Sequence, residues 1–289
     1  MTAIWHRLPV AVRAVIAAFL ALLAGNLPWG VLATANARLN PSFPWAALVM
    51  ACYIWLLWRW LGGRGRRGHL RANPLRGRVW GWSLLAGASG LLALVELLSV
   101  LGRLVSAPQQ QIPSHTPYPF LFALSALVMS GVVSGVFEEA SFRGFLQAPL
   151  EQRYGPAIAI AVTSLFFALI HLTHGLALLA FLLPYYLAVS VVYGILSWRT
   201  GSILPGMVLH SIGDAVGNVI AWRRGPPVAR PLVWRTGADW HFVLALSAAI
   251  ILAFVAARAF RRIEAVKRWG RGRDAGCPAP PARTRAGAH

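Results

Sequence analysis

The stretch LFALSALVMSGVVSGVFEEASFRGF, residues 121–145, decides the fold class and raises the functional question. Apolar and small residues fill it up to Phe137, which is enough helix to cross a hydrocarbon core about 30 Å thick. Two adjacent glutamates, Glu138 and Glu139, follow, with Arg143 four residues after the second. A charged side chain at the centre of a bilayer costs about 3 kcal/mol on insertion scales, so such residues are rare and often functional.

The rest of the chain repeats the apolar character of this stretch. Of its 289 residues, 57% are hydrophobic and 12% are charged, about half the charged share of a soluble domain. Apolar runs of roughly 18 residues or more recur throughout. The sequence therefore predicts an all-α, polytopic transmembrane helix bundle of about eight spans, with seven as the alternative. The predicted spans are 10–35, 44–61, 79–101, one from about 118 through the glutamates, one after 156, one ending near 198, 203–222 and 240–257.

The net charge of +19 is unevenly distributed, which predicts the topology. Six arginines lie in 62–78 and nine basic residues follow Ala257, so the positive-inside rule places both segments and both termini in the cytoplasm. The four arginines of 222–239 depart from that rule. We expect the basic loops to contact anionic lipid. No basic domain with interleaved aromatic residues exists to bind nucleic acid.

The composition also predicts the cell compartment and the domain boundaries. An arginine-rich chain with a single lysine, Lys267, favours a bacterial origin and the inner (plasma) membrane. The first span is too long for a cleaved signal peptide. Two distant cysteines, Cys52 and Cys277, predict neither a disulfide nor a zinc–cysteine site. The predicted divisions are 1–117 with three spans, 118–222 as the catalytic bundle, 223–257 as a loop and the last span, and 258–289 as a basic, disordered tail.

The polar residues inside apolar spans form a short set of functional candidates, because each is costly to bury in a membrane. Their spacing then suggests partners. Glu139 and Arg143 are four residues apart on one helix face, which suits an ion pair. Glu138 points about 100° away from Glu139, and a carboxylate without a local partner is a good candidate for a general base. The ionisable candidates are Glu96, Glu138, Glu139, Asp214, His171, His174 and His210.

Two further pairs with helical spacing contain histidine. Phe167 and His171 are four residues apart in FALIH, and so are His210 and Asp214 in HSIGD. An acid one turn beyond a histidine can orient its ring or share its proton. From the turn at 151–156, the glutamate at 138 and His171 lie roughly 20 and 22 Å up two antiparallel helices. We therefore expect these two side chains to face each other. The roles of His174 and Glu96 stay undecided.

The three motifs EExxxR (138–143), FxxxH (167–171) and HxxxD (210–214) resemble, in order and spacing, those of the CPBP or Abi family of intramembrane proteases. That family includes the type II CAAX prenyl endopeptidases. The resemblance covers roughly 121–222. It implies hydrolysis of a peptide bond in a membrane-associated or lipidated peptide or protein.

The resemblance also implies roles for the motif residues. Glu138 and His171 would activate a water molecule, while His210 and Asp214 would stabilise the developing oxyanion. Phe167 would pack the site, and Glu139 with Arg143 would support it. A carboxylate at 214 repels an oxyanion unless it is protonated or turned to orient His210.

The cofactor and the class of protein are left open by the sequence. Either no cofactor is needed, or a divalent metal such as zinc is held by His171, His210 and Glu138, which are suitable ligand types. No HExxH motif is present. The main alternative is a non-catalytic membrane protein, such as an immunity factor, scaffold or small transporter, whose polar cluster is structural. A serine mechanism based on GASG at 87–90 leaves both glutamates and His171 without a role.

Overall fold

The computed structural model of the protein describes residues 5, 7–108, 118–225 and 230–275, without the side chains of 173, 174 and 267–275. Throughout these residues the secondary structure is helical, with no strand. The predicted all-α transmembrane bundle is therefore confirmed. The helices are α1 (Val10–Leu39), α2 (Trp45–Gly68), α3 (Gly77–Leu104), α4 (Phe120–Tyr154), α5 (Pro156–Ile170), α6 (Leu176–Thr200), α7 (Leu204–Arg224), the short α8 (Val233–Thr236) and α9 (Trp240–Ala275).

Six of these helices, α1 to α4, α6 and α9, are long and apolar enough to cross a membrane, so the protein is an integral membrane protein. The apolar α5, with 15 residues, and α7, with 21 residues, complete a set of eight that corresponds to the eight predicted segments. Most of the apolar surface of the long helices faces outward rather than into the bundle. Such a surface needs hydrocarbon around it.

Glycines decide where two of the helices break. The second predicted span ends at residue 61, whereas α2 continues to Gly68 across a kink at Gly62, whose φ is 59°. The fifth and sixth spans separate at Gly175, which has a φ of 94° and follows a 3₁₀ turn from His171 to His174. Glycine adopts such positive φ values without steric cost. The sequence allows this break anywhere from Thr173 to Pro184, and Pro184 itself lies inside α6.

The basic tail from residue 258, predicted to be disordered beyond Trp269, is helical in the part that the structure describes. Helix α9 continues to Ala275, and residues 276–289 lie outside the described chain. Ala259 and Ile263 are buried against α3 and α6, and Glu264 forms an ion pair with Arg199 of α6. This packing stabilises as helix a segment whose arginine-rich composition alone suggested disorder.

Helices α4 and α7 pack closely along their lengths and position the site between them. Two glycines of α4, Gly131 and Gly135, make this approach possible. A Cβ at Gly131 would overlap the backbone of Ala215, and one at Gly135 would overlap Ser211. Small residues four apart permit this kind of close contact in membrane bundles. Sequence reasoning missed the signal, which is the GxxxG spacing just before the two glutamates.

Candidate active site

Directly after the two glutamates, α4 changes its winding. Residues Ala140–Gln147 form a π-helical segment inside the longer helix. Seven of its eight residues are buried, including Arg143 and Gln147. Their side chains are anchored on α6, where Arg143 Nη2 donates to Ser190 Oγ (2.9 Å) and Gln147 Nε2 donates to the carbonyl of Gly194 (3.0 Å). Because π turns are rare and recur at functional sites, this segment marks the neighbourhood of the glutamates.

Glu139 lies at the centre of a fully buried polar cluster. It forms the predicted ion pair with Arg143, with 3.0 Å between Oε1 and Nη1, and neither residue has measurable solvent exposure. The same oxygen lies 3.0 Å from Nδ1 of His210 on α7. An ionised carboxylate can only accept a hydrogen bond. Nδ1 of His210 therefore carries a proton and donates a hydrogen bond to Glu139. The two motifs that contain these residues, 71 positions apart in the chain, therefore meet directly.

Glu138 takes part in a second set of contacts in the same cluster. Its Oε1 accepts a hydrogen bond from Ser134 Oγ at 2.9 Å. Its Oε2 is buried without a hydrogen-bond partner among the described residues and lies 3.8 Å from Nε2 of His210. Ser134 Oγ also lies 3.3 Å from that nitrogen. Sequence reasoning gave Glu138 no local partner because it counted only ionisable residues; the serine one turn earlier was the available signal.

Asp214 closes the cluster from the more open side. Its Oδ2 lies 3.5 Å from Nε2 of His210, with 43% of the aspartate side chain exposed. The structure therefore contains the contact between His210 and Asp214 that their spacing predicts. The histidine is held between Glu139 on one ring nitrogen and Ser134, Glu138 and Asp214 on the other.

Phe167 brings the three sequence motifs together. Its ring lies 5.0 Å from the ring of His171, 6.1 Å from the ring of His210 and 5.0 Å from Cζ of Arg143. These contacts join α4, α5 and α7 around one buried side chain. The packing role implied by the resemblance fits this position.

Each of the two candidate histidines also stacks on a tyrosine of α6. The ring of His171 lies 3.9 Å from that of Tyr186, and the ring of His210 lies 5.0 Å from that of Tyr193 at an interplanar angle of 14°. Seven residues separate the tyrosines, so they share one face of α6. Nδ1 of His171 lies 2.8 Å from the carbonyl oxygen of Phe167, so Nδ1 donates a hydrogen bond to that oxygen. Sequence reasoning did not select these tyrosines, because aromatic residues in an apolar helix carry no pattern that distinguishes them.

The remaining candidates take different places. The histidine nearest to Glu138 in its described contacts is His210, and the facing of Glu138 and His171 stays a prediction. Glu96 lies on α3, partly exposed and outside this cluster. The side chain of His174 lies outside the described residues, and so does Cys277, whereas Cys52 is exposed.

The described residues do not present a preformed metal site. Within the described chain, no three His, Cys, Asp or Glu side chains converge as a ligand set. In particular, Glu138, His171 and His210, the set proposed from their residue types, do not form one. The chemistry below is therefore derived from the side chains alone.

The comparisons with known proteins agree with the motifs. Residues 119–216, about a third of the chain, match the family described as type II CAAX prenyl endopeptidase Rce1-like. This region runs from the start of α4 into α7 and contains every residue of the cluster. Neither the curated proteins nor the solved structures give a match.

The matched region is thus similar to CAAX-type membrane proteases, and the resemblance predicted from the three motifs is confirmed. At the level of the family, the similarity supports protease activity on a peptide or protein substrate.

Proposed function

We propose that the protein is an intramembrane endopeptidase that hydrolyses a peptide bond with a water molecule activated by Glu138. The observation that carries this proposal is the state of the Glu138 carboxylate. Ser134 fixes one of its oxygens, while the other is buried, lacks a hydrogen-bond partner among the described residues and faces His210 at 3.8 Å. A buried polar atom without a partner needs an explanation, and a water molecule at hydrogen-bonding distance from both atoms supplies one.

In this mechanism Glu138 accepts a proton from the water as its oxygen attacks the carbonyl carbon of the scissile bond. The bond between that carbon and the amide nitrogen then breaks, and Glu138 returns the proton to the departing amine. The products are a carboxylate and an amine, so the water is fully accounted for. His171 assists from the end of α5, as the resemblance implies.

His210 stabilises the negative charge that develops on the carbonyl oxygen. Nδ1 of His210 donates a hydrogen bond to Glu139. This contact directs Nε2 of the same ring toward Glu138, Ser134 and Asp214. When Nε2 is protonated, it can donate to the oxyanion. Asp214 contacts this nitrogen, and its negative charge stabilises the protonated ring. In this role the aspartate does not have to face the oxyanion itself.

Glu139 and Arg143 position the reacting groups. The ion pair is fully buried, and the guanidinium also contacts the carbonyl and hydroxyl oxygens of Ser190. A buried charge pair with such additional hydrogen bonds is held in one geometry. That rigidity fixes the tautomer of His210.

The test replaces Glu138 with glutamine, which keeps the acceptor for Ser134 but cannot accept a proton. We expect a loss of about 10²- to 10⁴-fold in cleavage of a membrane-tethered reporter, with unchanged folded yield and melting temperature. The matched control is Glu96→Gln, which removes an acid from α3 and should leave cleavage unchanged. Loss of folding together with activity would instead indicate a structural cluster, as in the non-catalytic alternative.

The proposed setting is the inner membrane of a bacterium, with both termini in the cytoplasm. The substrate is a membrane-associated or lipidated peptide or protein. Comparing membrane-protein fragments from cells with active protein and with the Glu138→Gln variant would identify it.

A further inference from the structure

A second polar site lies at the end of the bundle where α1 begins and α4 ends, apart from the active-site cluster. Here the start of α1 crosses the end of α4 beside the loop that follows α2, leaving a pocket of about 530 Å³. This size falls within the range of about 300–1,000 Å³ typical of ligand sites. The side chains that give the pocket its character are Trp5, Arg13, His69, Phe145, Gln152 and Arg153.

The described residues that line this pocket carry positive charge. Arg13 and Arg153 line it, and none of its described lining residues is acidic. The nearest acid in the chain sequence, Glu151, forms its own ion pair with Arg71. A pair of guanidinium groups without a carboxylate is a typical arrangement for binding phosphate.

Arg13 provides a second, independent indication of a ligand. Its Nε is buried and has no hydrogen-bond partner among the described residues. A buried donor on a charged group is costly to leave unsatisfied. An anionic oxygen in the pocket would satisfy this donor.

The neighbouring groove shows that the charge is specific to one side of α1. On the opposite face of the same helix lies a groove of about 460 Å³, lined by apolar side chains and by Tyr154. Ordinary acyl chains suffice to cover such a surface. Of these two cavities, the pocket with Arg13 and Arg153 combines apolar lining residues, including Phe145 and Ala14, with cationic groups.

We propose that this pocket binds the phosphate headgroup of an anionic phospholipid. The location favours a lipid over a soluble anion, because the pocket opens where α1 and α4 reach the membrane surface and Trp5 is of the type that anchors at that depth. Basic pockets between transmembrane helices commonly bind such headgroups. The proposal does not depend on protease activity.

The pocket lies directly outside the π-helical segment. Phe145, one of its lining residues, belongs to Ala140–Gln147, and so does Arg143 of the active-site cluster. Helix α1 packs extensively on the same segment. A bound lipid therefore stabilises the contact between α1 and the part of α4 that positions Arg143.

The test measures lipid binding to the full-length purified protein by native mass spectrometry in neutral detergent. Phosphatidylglycerol, phosphatidylcholine with the same acyl chains and inorganic phosphate are compared as probes. We expect the wild type to prefer phosphatidylglycerol. Each arginine contributes roughly fivefold, so Arg13→Gln with Arg153→Gln should weaken phosphatidylglycerol binding about 25-fold.

The matched control is Arg223→Gln with Arg224→Gln, which removes the same charge at the end of α7 and should leave the preference intact. Arg13→Lys with Arg153→Lys should retain most of it. The proposal is overturned if both double glutamine variants lose equal affinity, if phosphatidylcholine binds as well as phosphatidylglycerol, or if inorganic phosphate binds as tightly as the lipid. Because the readout is binding, an inactive but folded protein still tests it.

Discussion

Two arginine–carboxylate pairs in this bundle have the same chemistry and different surroundings. Arg143 and Glu139 are both fully buried, and the carboxylate also contacts His210. Arg103, at the end of α3, is buried as well and holds Asp239 at 2.9 Å. However, 44% of the Asp239 side chain is exposed, and its partner also donates to the carbonyl of Pro231 (2.7 Å).

The difference in exposure distinguishes the two pairs. Arg143 and Glu139 position residues of the candidate active site, whereas Arg103 and Asp239 link the end of α3 to the segment before α9. Water is excluded from the first pair, so each charge depends on the other and on nearby polar groups. Water reaches the second pair and screens it. We therefore expect substitutions at the first to have large effects on both folding and activity, and substitutions at the second to have small effects on folding alone.

The largest expected effect comes from Arg143→Met. This change leaves Glu139 buried without its cation, and breaking a buried pair in this way costs about 3–5 kcal/mol. We expect a large loss of folded yield and a lower melting temperature in detergent. Combining it with Glu139→Gln should restore much of the stability, since no uncompensated charge then remains. Equal stability of the single variant and the wild type would contradict the comparison.

Glu139→Gln alone tests the positioning role through activity, while the loss of the anion beside the buried Arg143 should also lower stability. The amide oxygen can still accept a hydrogen bond from Nδ1–H of His210, but the negative charge that favours the protonated ring is gone. Changing the carboxylate partner of a metal-binding histidine typically costs about 10- to 100-fold, and we expect a similar loss here. Reporter cleavage should fall by that amount, and the pH profile of kcat should change while KM changes little. A change confined to KM would argue against a positioning role.

The close approach of α4 and α7 is tested by Gly135→Ala. The added Cβ would overlap Ser211, and overpacking of this kind costs about 1–3 kcal/mol. Separating the helices should also move Glu138 away from His210 and reduce cleavage. Gly217→Ala is the matched control on α7, because a Cβ there meets nothing within 4 Å. Unfolding in detergent and cleavage rates should distinguish the two variants.

The smallest effect is expected at the pair of Arg103 and Asp239, whose carboxylate is partly exposed. The backbone N–H of Phe242 and the Arg103 guanidinium hold the pKa of Asp239 below its usual value. A lowered folded-state pKa contributes stability above about pH 4, and that stability is lost as the pH falls through the folded-state value. Asp239→Asn should therefore lower the melting temperature slightly near neutrality and have no effect at pH well below 4.

This small difference should also shrink at high salt, because the carboxylate is accessible to water. Melting temperatures of both proteins across pH and salt would check it. A gap that stays constant with pH would mean that the charge of Asp239 contributes nothing.

Much of the fold followed from the sequence because a membrane restricts the possible structures. A chain crossing hydrocarbon must satisfy its backbone hydrogen bonds internally, so long apolar runs can only be helices. The same cost of burying charge selected Glu138, Glu139, His171 and His210 as candidates. Helical spacing then predicted the local pairs Glu139–Arg143 and His210–Asp214, both of which the structure contains.

Contacts between helices could not be obtained in this way. The pairing of Glu139 with His210, the bridging position of Ser134 and the stacking of His210 on Tyr193 depend on how α4, α6 and α7 pack. The helical extension of the tail beyond Arg258 likewise depends on burial of Ile263 against neighbouring helices. No local pattern encodes these distances.

The sequence by itself thus determined the membrane-spanning helices. It also determined which polar residues are costly to bury in them and are therefore functional candidates. Only the tertiary structure decided which of those residues meet, because the close packing of α4 on α7 at Gly131 and Gly135 sets the distances across the cluster. The physical reason is that backbone hydrogen bonding and hydrophobicity act over a few neighbouring residues. The geometry of a site, in contrast, is fixed by side chains from distant parts of the chain that exclude water together.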